Sequence, residues 1–337
     1  MNPQNIKVSI IMACHNSSTY LNEAINSVLK QTLGDLELIL IDDFSTDNTL
    51  EIAKRYQVQD GRISVISLPV NSGPAAARNA GIRAARGEWL GILDSDDVAM
   101  PSRFEAQMRL ADSDKDLIMI GSSLISINED GIELKAHEYP IDHQKLINRL
   151  YTQQPFPPHS SMVYRKDAVK MLGAFNPRYL QSEDYDLWLR LSEIGKVASI
   201  NKPFVKIRKH EQNISHSEGG MRQVRFGFVA LACHFLRMHG SPDPSTSKDE
   251  PTWQEFITWV DRRMMEEGVF ERRKAWADAR ADYFASKKSL ISAFRFGKHL
   301  LKSGHAALLV WERFFGTSLP KRLAQEWMVC HKPGEAK

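Results

Sequence analysis

Cysteine is scarce in this 337-residue chain, with only Cys14, Cys233 and Cys330 present. They lie far apart, form no metal-ligand spacing and cannot build a disulfide framework, so a reducing compartment is expected. Long apolar runs are missing too, and none approaches the length that spans a bilayer. The run at residues 8–13 is too short for a signal-peptide core and has no small-residue cleavage site after it. The chain therefore reads as cytoplasmic, with peripheral contact at the inner face of the plasma membrane left open. Charge of one sign is also lacking. The 44 basic and 41 acidic residues leave a net +3, which gives no global case for nucleic-acid binding. No glycine-rich loop succeeds the first apolar run, where Ala13-Cys14-His15-Asn16-Ser17 stands instead. That argues against a dinucleotide enzyme or a sugar nucleotidyltransferase.

The chain has the composition of an ordinary globular protein, in a length that suits two domains. Apolar strand-like runs alternate with helical patterns. Strands are expected at residues 8–12, 37–41, 63–66 and 89–93. Between them fall helices at about 20–29, 46–56 and 74–86. Asn16, Ser17 or Ser18 could cap the first helix, and Asp43, Ser45 or Asp47 the second. Gly87 would close the third, which has proline near its first turn. This alternation predicts an α/β fold, a mostly parallel sheet covered by helices. Ligands of such sheets bind beyond the carboxyl ends of the strands. Three polar clusters end apolar strands there: Cys14-His15-Asn16, Asp42-Asp43 and Asp94-Ser95-Asp96-Asp97. Strands at 117–127 and 204–207 and helices at 168–172 and 184–194 are expected further on. After about residue 216 the pattern is helical, broken by a loop at 240–247.

Three carboxylates within Asp94 to Asp97 repel one another unless a cation sits among them. A hard divalent ion, Mn²⁺ or Mg²⁺, prefers such oxygen ligands and shares them with substrate phosphates. A solvated turn with a helix cap is the plainer alternative, and the position directly after a buried strand weighs against it. Asp42-Asp43 could bind a ribose or base, or cap a helix, or do both. Arg78, by spacing alone, is an exposed arginine on an alanine-rich helix. Glu183 and Asp184, again by spacing alone, are helix-start acids that complement the dipole. His159 and His210 are lesser candidates for contact with a diphosphate or metal.

The combination resembles the family 2 glycosyltransferases with the GT-A fold. The resemblance rests on residues 8–16, on Ile41-Asp42-Asp43-Phe44-Ser45-Thr46-Asp47, on residues 73–81 with Arg78-Asn79, and on Leu93-Asp94-Ser95-Asp96-Asp97. Gly173-Ala174-Phe175 and Glu183-Asp184-Tyr185-Asp186-Leu187-Trp188 complete it. It covers about residues 6–215, which would be the catalytic domain. The remainder, 216–337, would be a helical region for acceptor, oligomer or membrane-surface contacts. The resemblance implies that Ala13, His15 and Asn16 frame a nucleotide, with Asp43 on the base and Arg78 beside it. It also implies that Asp94, Ser95 and Asp96 contact the donor. Asp94, Asp96, Asp97 and His210 are the metal candidates. Asp184 would be the catalytic base, with Glu183 secondary. Phe44 departs from the pattern, since the family often has glycine there. The chain also lacks the Gln-x-x-Arg-Trp signature of processive synthases.

The implied activity is inverting, nonprocessive transfer of a hexosyl or N-acetylhexosaminyl group. The donor would be a nucleotide-diphosphate sugar, uridine diphosphate being the family's commonest carrier. A hydroxyl of a glycan or lipid-linked acceptor would receive the sugar, in cell-surface polysaccharide or lipopolysaccharide synthesis. A sugar-nucleotide binder without turnover is the competing class, and a separate base at Asp184 argues against it. Between residues 287 and 315, aromatic and leucine residues interleave with lysine and arginine. This pattern suits either a helical cap packed on the catalytic domain or a helix lying on an anionic membrane.

Overall fold

The structure, a computed structural model, describes residues 6–210, 221–271 and 318–331. The chain divides into two compact units. The first comprises Met1–Leu150, Pro155–Pro177 and Asp186–Glu211; the second comprises Tyr151–Gln154, Arg178–Tyr185 and Gln212–Lys337.

The first unit is built on a nine-stranded sheet. Its strands are β1 (Val8–Cys14), β2 (Leu36–Asp42), β3 (Ile63–Ser67), β4 (Trp89–Ile92), β5 (Val98–Ala99), β6 (Leu117–Ile127), β7 (Glu133–His137), β8 (Val163–Arg165) and β9 (Lys196–Arg208). Their order is β3-β2-β1-β4-β8-β6-β9-β5, with β7 on β6. β1 pairs in parallel with β2 and β4, and β2 with β3, so these four strands end at one edge. β8 is antiparallel to both β4 and β6, while β9 runs parallel to β6. The expected α/β fold with a mostly parallel sheet is present.

β1 and β2 are apolar almost throughout because both faces of this part of the sheet are covered. Val8, Ile10 and Met12 share a core with Leu21, Ala24, Ile25 and Val28 of α1 (Leu21–Leu29) and with Phe104 and Met108 of α4 (Arg103–Ser113). Ile11 and Ile41 point the other way, toward α3 (Gly73–Ala84), where a Cβ added to Gly81 would lie 2.8 and 2.7 Å from their side chains. Glycine at 81 therefore sets how closely α3 lies on the sheet. Each fully buried leucine or isoleucine contributes roughly 1.5–3 kcal/mol.

Local details differ from the sequence expectation. Gly87 does not close the third helix, which ends at Ala84. A Cβ at Gly87 would stand 2.6 Å from the Ser9 backbone nitrogen, so the glycine serves close approach to β1. No side chain caps α1, whose cap residue is Tyr20. The second helix, α2 (Thr49–Gln59), starts later than expected, and Asp47 accepts the Thr49 N–H at 3.0 Å. β9 begins eight residues before the expected 204. Pro203 obscured it, and the ladder absorbs that proline through register shifts around Ser123.

In the second unit, α8 (Met221–Met238) and α9 (Glu250–Glu266) are joined by Arg225, which donates to both carboxylate oxygens of Asp261 at 2.7 and 2.6 Å. Trp327, on α10 (Ser318–Cys330), meets Phe256 and Trp259 of α9 edge-on. Among the described residues no helix is long and apolar enough to cross a membrane. The basic aromatic segment 287–315 lies outside the described residues.

At the amino end of the sheet, Glu37 is a buried acid with a full set of donors. Ser9 Oγ donates to it at 2.6 Å, and Arg86 donates its backbone N–H at 2.8 Å and its guanidinium at 2.9 and 2.7 Å. Burial pushes the carboxyl up, but the bonds from Ser9 and Arg86 outweigh it and hold the group below its ordinary value. A depressed folded-state value means stability that is present above the ordinary glutamate range and lost as pH falls through the folded value. Glu37→Gln is expected to destabilise the fold by about 1–3 kcal/mol at pH 7 in urea unfolding. It should also flatten the loss of stability toward acid; a variant that keeps the wild-type acid slope would contradict this.

Candidate active site

The ends of β1 and β2 are tied together before any ligand is considered. His15 Nδ1 donates to the Asp43 carbonyl at 2.8 Å, and Asn16 Oδ1 accepts the Thr46 N–H at 2.8 Å. Asn16 takes a left-handed φ of 49°, which asparagine tolerates. Ala13 pairs with Ile41 one step earlier in the ladder. Asp43 is buried, and its two oxygens accept the N–H groups of Ser72 and Gly73 at 2.7 and 2.8 Å. It thus holds the start of α3, whereas the helix after residue 46 is served by Asp47. Carboxylate oxygens carry more lone pairs than these two bonds use, so Asp43 keeps acceptor capacity for a base or ribose. Phe44 has φ 60° and is half exposed. The turn keeps a glycine-like backbone although its residue is phenylalanine.

The third strand end carries the acidic loop, and each carboxylate has its own partner. Asp94 accepts from Arg78 Nη2 at 3.0 Å and from Ser160 Oγ at 2.8 Å. Burial pushes this carboxyl up, but the Arg78 charge prevails and holds it below the ordinary range. Arg78 is therefore not the exposed arginine that spacing suggested; its side chain is 11% exposed and aimed at Asp94. Ser95 is buried and donates to Ser17 Oγ at 2.8 Å, linking the loop to the end of β1. Asp96 Oδ2 lies 2.8 Å from His210 Nε2. Burial and the neighbouring Asp94 raise the Asp96 carboxyl, with His210 opposing them. Asp97 is buried and accepts the Arg208 N–H at 2.9 Å; burial, Asp96 and Asp94 push it well above the ordinary value.

These raised carboxyls suit an added cation. The Asp96 side chain is 29% exposed, so it is the accessible oxygen donor of the pair, while Asp97 is enclosed. Among the described residues no three His, Cys, Asp or Glu side chains are grouped to hold a metal ion. A magnesium-like ion needs only one or two protein carboxylates when phosphates and water complete its shell. The residues present fit that mode and not an all-protein cage.

Glu183 and Asp184 belong to the second unit and open α7 (Glu183–Ser192). Glu183 is buried, and Asp184 Oδ1 accepts the N–H of Tyr185 at 2.7 Å. In the first unit, Gly173-Ala174-Phe175 turns through positive φ at Gly173 and Ala174. Asn79 clamps Phe175, donating to its carbonyl at 2.7 Å and accepting its N–H at 3.0 Å.

Sequence reasoning passed over the residues that shape the loop. Arg208 is 1% exposed and donates to the carbonyls of Asp96, Asn128 and Glu129 and to Glu23 Oε2. Its guanidinium also lies 4.4 Å from the centre of the Tyr20 ring. Arg103, wholly buried, donates to the carbonyls of Ile92 and Met162, and burial pulls it down to about 9. A signal existed for both. Arg208 closes an apolar strand at the ligand edge, and Arg103 and Gln107 fall on the apolar face of α4 beside Phe104 and Met108.

Arg208→Leu is expected to lower stability by about 3 kcal/mol, because several buried carbonyls lose their donor. Arg208→Lys should recover little, since one ammonium cannot reach that many acceptors. Urea unfolding of the two variants measures this, and a wild-type midpoint for either would refute the structural role.

Known proteins share this outline. The glycosyl transferase family 2 model matches residues 9–173. The O-antigen biosynthesis glycosyltransferase WbnJ of Escherichia coli is 34% identical over 191 residues, 55% of this chain and 71% of that protein. An uncharacterized glycosyltransferase of Methanocaldococcus jannaschii is 34% identical over 185 residues, 54% of this chain and 63% of that protein. The hyaluronan synthase of Pasteurella multocida is 31% identical over 218 residues, 64% of this chain but only 22% of the synthase. Two solved structures share the fold. S. aureus TarS 1–349 in complex with UDP-GlcNAc has a TM-score of 0.59 at 19% identity, covering 96% of this chain and 92% of that one. The mannosyltransferase PcManGT of Pyrobaculum calidifontis, in complex with GDP-Man and Mn²⁺, has a TM-score of 0.52 at 17% identity, covering 98% and 88%. With its mixed sheet, its strand-end acidic loop and these relatives, the chain belongs to glycosyltransferase family 2 and has a GT-A-type fold.

Proposed function

We propose that this glycosyltransferase is an inverting, nonprocessive enzyme that transfers one sugar from a nucleotide diphosphate to an acceptor hydroxyl. The carrying observation is the convergence of Asp43, the Arg78–Asp94 pair and Asp96 at the edge where β1, β2 and β4 end. Asp43 supplies acceptor oxygens for a base, with Ala13, His15 and Asn16 framing the nucleotide. Arg78 offers a cation beside the phosphates, and Asp94, Ser95 and Asp96 line the donor. A UDP sugar is the first donor to try, because the TarS neighbour is in complex with UDP-GlcNAc.

Asp96 would hold a Mn²⁺ or Mg²⁺ ion, with Asp94, Asp97 and His210 as the remaining candidates. Such an ion, when bound, offsets the negative charge that builds on the departing diphosphate. The base assigned is Asp184, with Glu183 secondary. It is supported by the family resemblance and by its place in the first turn of α7. Asp184 takes the proton of the acceptor hydroxyl as that oxygen bonds to the anomeric carbon. The bond from that carbon to the diphosphate oxygen breaks in the same displacement, so the nucleoside diphosphate leaves and the configuration inverts.

The acceptor proposed is a glycan or lipid-linked hydroxyl in cell-surface polysaccharide or lipopolysaccharide synthesis. The O-antigen and hyaluronan relatives support that context. The second unit and the segment 287–315 would supply acceptor, oligomer or membrane-surface contacts, placing the enzyme at the cytoplasmic face of the plasma membrane.

Three measurements test the reading. In a screen of nucleotide sugars with Mn²⁺, the true donor at 100 times its Kd should stabilise the fold by about 2.7 kcal/mol, seen as a raised melting temperature. Asp184→Asn should cut transfer about 100- to 10,000-fold while leaving donor binding largely intact, and near-normal turnover would remove Asp184 from the mechanism. Treatment with EDTA should abolish both transfer and the donor-induced shift, with Mn²⁺ restoring them. Full activity in the chelator would disprove the metal role of the acidic loop.

A further inference from the structure

His159 opens a short helical turn, His159–Ser161, inside the first unit. Its neighbour Ser160 holds Asp94 twice, donating to Oδ2 at 2.8 Å and accepting the Asp94 N–H at 3.1 Å. The imidazole packs edge-on against Phe175, ring centres 5.5 Å apart. The Arg78 guanidinium lies over the same Phe175 ring at 5.8 Å. His159 is thus part of the wall around the Arg78–Asp94 pair.

Two side chains bear on the tautomer of the ring. Trp188 Nε1–H donates to Tyr164 Oη at 2.7 Å, and Tyr164 Oη lies 3.3 Å from His159 Nδ1. An indole N–H can only donate, so the phenol oxygen accepts there and has its own proton to give toward Nδ1. With Nδ1 accepting, the imidazole proton sits on Nε2. The ring remains neutral, because burial and the Arg78 charge push His159 down to about 3. Nε2 is buried and has no hydrogen-bond partner among the described residues. His159 itself is 8% exposed. A buried donor left unmatched is costly, so a group of this kind in a binding wall calls for a partner that arrives with the ligand.

We infer that His159 is a donor-positioning residue whose Nε2–H, oriented by Trp188 and Tyr164, hydrogen-bonds an oxygen of the nucleotide sugar beside Asp94. The inference rests on the proposed glycosyltransferase reading. The ligand chemistry is an oxygen acceptor, either on the transferred sugar or on the diphosphate. It is not a metal ion, because a protonated ring nitrogen offers no lone pair to a cation.

The full chain is titrated calorimetrically with UDP, UDP-N-acetylglucosamine, GDP and GDP-mannose in the presence of Mn²⁺. His159→Phe is expected to weaken nucleotide-sugar binding about 10-fold, the scale of one lost hydrogen bond. His159→Gln, which keeps an N–H at similar reach, should recover most of the loss; a purely structural role would not distinguish the two. A loss confined to the nucleotide sugars places the contact on the sugar, and an equal loss for the free nucleotides places it on the diphosphate. Equal affinities for wild type and His159→Phe overturn the inference. Should His159→Phe fail to fold, nitrogen-15 NMR of the wild-type imidazole decides instead. A pyrrole-type Nε2 and pyridine-type Nδ1 are expected, and the reverse pattern overturns the inference. Wild-type protein that binds none of the four nucleotides would bring down the donor reading itself, and this inference with it.

Discussion

The site depends on holding three carboxylates within four residues against their mutual repulsion. The fold gives each of them a separate counterpart. Asp94 has the Arg78 guanidinium, Asp96 has the His210 ring, and Asp97 has the Arg208 backbone N–H. These partners come from α3, from the residues after β9 and from the end of β9, so the loop is braced by distant parts of the first unit. The compensation is uneven. Asp94 is stabilised as an anion, whereas Asp96 and Asp97 are held toward the neutral form. A loop in that condition favours any added positive charge, such as a diphosphate-bound divalent ion would bring.

The bracing works because the parallel ladder fixes where the loops begin. Cys14 lies opposite Asp42, and Ile11 opposite Ile92, so three strand ends emerge side by side. Gly81 lets α3 settle on Ile11 and Ile41, and that contact carries Arg78 to Asp94. Arg208 then fastens the far side, with its guanidinium on the Asp96, Asn128 and Glu129 carbonyls. A fully buried arginine is acceptable there because carbonyl oxygens and the Glu23 carboxylate meet most of its donors.

The ligand edge itself was legible in the chain. Apolar runs ending in His15-Asn16, Asp42-Asp43 and Asp94 to Asp97 require only the strand period and the rule for parallel sheets. The partners of those residues were not legible. Asp43 seemed suited to the helix after residue 46, yet it holds Ser72 and Gly73 across the rim. Arg78 looked solvated on an alanine-rich helix, and only packing shows it turned inward. Arg103 and Arg208 carry much of the buried hydrogen bonding; their places on an apolar helix face and at a strand end hint at burial, but nothing local names the distant carbonyls that satisfy them. Their partners lie up to 185 residues away along the chain, as for Arg208 and Glu23.

By itself the sequence determined the alternation of strands and helices, the edge at which the polar clusters gather and the residue types there. Those are local properties, written in hydrophobic periodicity and in the polar residues that close each apolar run. Tertiary structure decided which carboxylate is paired with which partner, which acids are raised, and which side chains surround the His159 ring. Those are properties of through-space distance and burial, and neither quantity exists until the strands have been laid side by side.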